Sequence, residues 1–175
     1  MRLFTLIIPA LVAAFPLVPA HGAPPPSNAA DDAAPTKALS YVAAAGASDL
    51  YEIESSRLAA ASSKRADVRD FAQMMIDHHT MTTRTLTQAA GKAGLTPPPP
   101  ALTLMQADMI ARLKAAPAAN FDSVYLQQQT DAHRQALALH QNYASKGDAP
   151  ALQSAASSAV PIVQRHYDRV RELAR

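Results

Sequence analysis

From Ala38 onward apolar side chains recur every three or four residues along most of the chain, with polar residues between them, which is the spacing of amphipathic helices rather than strands. The first stretch, Ala38 to Lys64, places Leu39, Ala43, Leu50, Ile53 and Ala61 on one stripe. A second stretch starts at Asp67, an expected N-cap, and continues to about Gly91, with Phe71, Met74, Met75, Leu86 and Ala89 on its stripe and Lys92 and Gly94 as a stop signal. Pro97 to Pro100 impose a polyproline spacer, and a shorter helix follows from Leu102 through Leu113 and stops before Pro117. Asn120 is expected to cap the next long helix, with Phe121, Val124, Tyr125, Ala132, Ala136 and Leu139 inward and an end at Lys146-Gly147. Asp148 is expected to cap the last, which carries Leu152, Ala156, Ala159, Val163, His166, Val170 and Leu173 inward and is expected to bend at Pro161. The pattern predicts an all-α fold, a four-helix bundle with a short extra helix in the 2-3 crossover.

The start of the chain breaks this pattern. Met1-Arg2, an apolar run interrupted by Pro9 and Pro16, and small residues around Val18-Pro19-Ala20 read as a cleavable secretory signal over residues 1–20, cut after Ala20. The run is too short and too proline-broken for a stable membrane span. Residues 21–37, rich in Pro, Ala and Asp, read as a disordered tether, and residues 38–175 as the bundle domain. The expected location is therefore periplasmic or secreted. The chain has no cysteine, so the bundle holds by core burial alone. A formal net charge of +2, about +1 after loss of Arg2, excludes a nucleic-acid binder and a strongly anion-seeking membrane surface. A protein partner is not specified, beyond a homodimer as an open option.

Candidate chemistry lies in polar residues on the apolar stripes. His78 shares its stripe with Phe71, Met74, Met75, Thr82 and Leu86, and His166 lies at the centre of the last helix's stripe. His133 and His140 share one flank with Gln129, Glu54 falls among Leu50, Ile53 and Ala61, and Glu52 lies opposite. Counted from the turn near Arg65-Ala66, Glu54 and His78 stand at one height, whereas His133 and His166 differ by roughly 7 Å at ~1.5 Å rise per residue, with Tyr125 to Gln129 level with His166. Imidazoles plus one carboxylate suit a divalent Zn, Cu or Fe ion, so Glu54, His78, His133 and His166 form the candidate metal set. Asp77, Gln129 and Tyr125 are candidates to orient the imidazoles. The alternative is that these are neutral core histidines bonded to Gln129 or Tyr125. With no cysteine, no Gly-x-Ser-x-Gly elbow and no glycine-rich phosphate loop, nucleophilic catalysis has no support.

Tyr51-Glu52-Ile53-Glu54 with Leu58-Ala59, then Phe71-Ala72-Gln73-Met74-Met75 with Asp77-His78, then Phe121-Asp122 with Tyr125 and His133, then Pro161 with His166, together resemble the exported bacterial family called Domain of Unknown Function 4142. The likeness covers roughly Ser40 to Leu173 and implies a ferritin-like four-helix bundle without implying a reaction. Met74-Met75-Ile76-Asp77-His78-His79 is also locally similar to Domain of Unknown Function 305, some of whose members are associated with copper or silver. The chain has no Glu-x-x-His pair, the element that di-iron carboxylate bundles need from two helices, so a ferroxidase is not expected. Two readings follow. One is an exported bundle binding a single metal ion in stress or metal handling. The other is a non-catalytic envelope structural or interaction module with polar core histidines.

Overall fold

The computed structural model describes residues 34–175, and every regular element among them is helical. These are α1 (Ala38–Ser62), α2 (Ala66–Lys92), the short α3 (Leu104–Ala115), α4 (Phe121–Lys146) and α5 (Pro150–Leu173). α1 and α5 each pack against both α2 and α4, which closes the four long helices into a ring with α1 diagonal to α5. α3 leans on α1 and α4, so the crossover covers one side of the bundle, and among the described residues no helix covers the α2–α5 side. The bundle with a crossover helix is the architecture expected from the pattern. The expected signal segment, 1–20, and the tether up to residue 33 lie outside the described residues. The last tether residues are anchored: Asn142 Nδ2 donates to the Ala34 carbonyl at 2.8 Å, and the Asp148 N–H to that of Thr36 at 3.3 Å. No helix among the described residues is long and apolar enough to cross a membrane.

The helix ends follow local chemistry, with two corrections to the expected caps. Asp67 lies inside the first turn of α2, where it pairs with Arg65 at 2.8 Å; the N-cap is Arg65. Asp148 does not cap α5, whose N-cap is Ala149. Its carboxylate instead accepts the Ala38 N–H at 2.9 Å, serving the first turn of α1 from across the bundle, and accepts the Tyr143 hydroxyl at 3.2 Å. α2 stops in a Schellman turn: Leu95 N–H reaches Ala90 O, Gly94 N–H reaches Gly91 O, and Gly94 takes φ +73°. α3 begins with a capping box between Thr103 and Gln106, and α5 runs on through Pro161, whose side chain is exposed.

Gly147, between α4 and α5, is fixed by space rather than by dihedral angle. A Cβ there would stand 2.6 Å from the Tyr143 carbonyl oxygen and 2.6 Å from its ring. Gly147→Ala is therefore expected to cost about 1–3 kcal/mol, because a stacked Tyr41–Tyr143 pair with centroids 3.9 Å apart must give way. A urea midpoint equal to that of the parent protein would contradict this.

Two apolar clusters make up most of the core. One gathers Val68, Phe71, Met75, Leu113, Tyr125 and Leu173; the other gathers Tyr41, Val42, Leu86, Ala90, Tyr143 and Leu152. Between these clusters each long helix carries buried polar residues, Asp49, Glu52, Ser55 and Ser56 on α1, His79 on α2, Gln129 and His133 on α4, and His166 on α5, beside a small apolar group of Ala136, Leu137 and Val163. The bundle therefore has a polar layer at mid-height with an apolar block on either side.

α1 is rotated from the expected phase. Leu39 is 57% exposed, Ala43 and Ala61 are exposed, and Leu50 and Ile53 are only half buried. The inward face is instead Tyr41, Val42, Ala45, Asp49, Glu52, Ser55, Ser56 and Ala59. Four of those eight are polar, so the usual hydrophobic asymmetry of a packed helix is almost absent from α1.

Candidate metal centre

One ring nitrogen each of His79, His133 and His166 lies within 4.8 Å of those of the other two, and all three residues are buried. Their other nitrogens are occupied. His79 Nδ1 is 2.8 Å from Asp49 Oδ1, and that carboxylate also accepts from Thr82 at 2.9 Å and Thr83 at 3.1 Å. His133 Nδ1 is 2.8 Å from the Gln129 carbonyl oxygen, an atom that only accepts, so this ring carries its hydrogen on Nδ1. His166 Nε2 is 2.7 Å from His78 Nδ1, with the two rings stacked at 5.0 Å. In the tautomer in which His166 donates to His78, its Nδ1 lone pair faces inward. The nitrogens left over are His79 Nε2, His133 Nε2 and His166 Nδ1, all buried and all without a hydrogen-bond partner.

Glu52 lies beside this constellation, next to the far nitrogen of the His133 ring and outside the converging set. Its side chain is 1% exposed, neither carboxylate oxygen has a hydrogen-bond partner, and Oε1 stands 3.6 Å from His133 Nδ1, beyond a good hydrogen bond. Burying an unpaired carboxylate is costly, and the protonation equilibria record that cost. Desolvation pushes the Glu52 carboxyl up to about 7, opposed by His79. Desolvation likewise takes His133 down to about 3 and His166 down to about 2. At His79 burial acts against protonation too, but the Asp49 hydrogen bond and the charges of Asp49 and Glu52 outweigh it and raise the imidazole. His133 and His166 are thus neutral imidazoles with inward lone pairs at any physiological pH.

The sequence-derived set is gathered only in part. His133 and His166 meet, their rings 5.5 Å apart. Only part of the expected height gap disappears when turn residues are set aside: His133 lies thirteen residues before the end of α4 and His166 sixteen after the start of α5, a difference of about 4.5 Å at the helical rise. Glu54 is half buried and lies outside the histidine group; Glu52, two residues earlier, faces it. His78 is half buried and bonds His166, while its neighbour His79, which is not in the sequence-derived set, enters the cluster. Asp77 is exposed and accepts from Gln73, so the orienting carboxylate is Asp49 instead. Gln129 does orient an imidazole, through its backbone carbonyl, and its side chain donates to Ser55 Oγ at 3.0 Å. Tyr125 touches none of the imidazoles by hydrogen bond; it is 2.8 Å from the Ser56 hydroxyl and belongs to an apolar cluster. The overlooked residues had a signal: Val68, Ala72, Met75, His79, Leu86 and Ala90 keep helical spacing throughout, which centres the α2 stripe on His79.

A helical bundle with a buried layer of imidazoles and a carboxylate, one contribution from each long helix, is the class of protein that fold and cluster define. The chain belongs to the family Domain of unknown function (DUF4142), whose family model matches residues 23–173. No curated protein and no solved structure matches it.

Proposed function

We propose that the protein holds a single divalent transition-metal ion, Zn, Cu or Fe, through His79 Nε2, His133 Nε2 and His166 Nδ1, with the Glu52 carboxylate as the fourth donor. The observation that carries this reading is the set of converging, buried donor atoms with no hydrogen-bond partner, since buried polar groups of that kind are otherwise satisfied. Three imidazoles and a carboxylate suit these metals and not calcium or magnesium, which take oxygen ligands. Imidazole donors at about 2.0–2.1 Å from a tetrahedral ion stand roughly 3.4 Å apart, so shifts on the order of an ångström bring the rings to bonding distance. Asp49, the Gln129 carbonyl and His78 each hold a donor ring from behind, as outer partners of metal-bound histidines do. A bound ion would supply positive charge to a layer that already contains a stranded carboxylate. The donors are no more than 3% exposed, which favours metal retention over catalysis on a substrate, and the apolar N-terminal run supports retention in an exported, periplasmic setting.

The test is metal analysis of protein purified without an affinity tag, combined with thermal melts after chelation and after addition of Zn or Cu. About one equivalent of metal and a stabilisation near 2.7 kcal/mol at a hundredfold excess over Kd are expected. No bound metal and no shift in melting would replace this reading with that of a structural envelope module.

A further inference from the structure

A second site opens on the side of the bundle that the crossover leaves bare. Between α2 and α5 a cleft of about 310 Å³ runs inward as far as Tyr41 and His140, a volume in the range of small-molecule sites, which bundles often form between helices. It exists because small side chains face one another there: Ala45 on α1 and Ala155, Ser158 and Ala159 on α5 leave space that Leu86 and Ile162 only border.

The polar groups on its walls are nearly all engaged. Tyr41 and His140 bond each other at 3.0 Å. Asp49 is saturated by His79, Thr82 and Thr83, and Thr85 and Ser158 donate to the carbonyls of Met81 and Ser154 in their own helices. Two groups at the rim keep uncommitted nitrogens. Arg165 has no hydrogen bond or ion pair to any described residue, and His78 commits only Nδ1, to His166. Apart from His140, which commits only Nδ1, the walls thus offer a ligand apolar contact, and the mouth offers a cation.

We propose that this cleft binds an amphiphilic monocarboxylate, with its apolar chain between α2 and α5 and its carboxylate on Arg165 and His78. A guanidinium suits a carboxylate through paired, charge-assisted hydrogen bonds. None of the three converging histidines lines the cleft, but His78 and Asp49, which hold two of those rings from behind, do.

The experiment titrates full-length protein with a fluorescent medium-chain carboxylate and, separately, with the corresponding alcohol. Saturable binding of the carboxylate is expected, with the alcohol about tenfold weaker or worse, as loss of a charge-assisted hydrogen bond implies. Arg165→Gln should bring the carboxylate down to the level of the alcohol. Ala155→Leu should abolish binding of both, with helical content by circular dichroism showing that the bundle is intact; Ala159→Phe repeats the test from deeper in the cleft. Equal affinity for carboxylate and alcohol in the parent protein would overturn the assignment of the headgroup. Absence of saturable binding would overturn the site, as would a dimer that forms with rising concentration and expels the probe, since the occupant would then be a second copy of the chain.

Discussion

Glu52→Gln is expected to stabilise the metal-free protein and to weaken metal binding, two effects of opposite sign from one substitution. The carboxyl titrates at about 7 in the folded protein against 4.5 when unfolded, because burial disfavours its charged form. A folded-state value raised in this way means that stability is complete below pH 4.5 and is lost as pH rises through 7, where the unfolded chain ionises freely and the folded one does not. Glutamine has no such titration. The variant should therefore match the parent below pH 4.5 and exceed it by on the order of 3 kcal/mol above pH 7 in the presence of chelator. With Zn or Cu added, the order reverses, because a neutral amide replaces an anionic donor. Denaturant midpoints at pH 4.5 and pH 8, with chelator and with metal, read all four corners. A variant less stable than the parent at pH 8 in chelator would show that the carboxylate has partners that the geometry does not contain.

Asp49→Ala is expected to be the most destabilising single change in the polar layer. Asp49 is 6% exposed and accepts from His79, Thr82 and Thr83, while His79 is shifted towards its charged form by this same carboxylate. Removing it breaks the buried pair with His79, a loss of about 3–5 kcal/mol, while the Thr82 and Thr83 hydroxyls keep the His79 carbonyl oxygen as acceptor. Metal affinity should fall by about ten- to a hundredfold as His79 loses its orienting partner. Asp49→Asn, which keeps an acceptor oxygen, should recover part of the stability and less of the affinity. Equal stability of Asp49→Ala and the parent, measured by urea unfolding, would contradict the role assigned to this network.

How much of this was legible in the sequence varied by helix. α5 was read correctly because its inward positions, from Leu152 to Leu173, are apolar apart from His166, so periodicity fixed the rotation and the histidine came with it. α1 was read with the wrong face because the layer that carries the chemistry replaces apolar residues with Asp49, Glu52, Ser55 and Ser56. The apolar side chains that remained, such as Leu39 and Leu50, point elsewhere, and the exchange of Glu54 for Glu52 follows directly from that rotation. On α2 the error was smaller. Met74 and His78 border the buried stripe and Met75 and His79 occupy it, a difference of one residue that periodicity alone does not separate when the adjacent residues are alike. The pairing of His79 with Asp49, thirty residues earlier, depends on how two helices face each other, and no local signal encodes it.

The two apolar blocks that flank the mid-height layer divide labour within the fold. Each joins side chains from α1, α2, α4 and α5, so each end ties the four long helices together without help from the polar layer. The layer is then a replaceable insert between two anchors. The ends of the helices are then the seat of folding, and the middle is the seat of the chemistry.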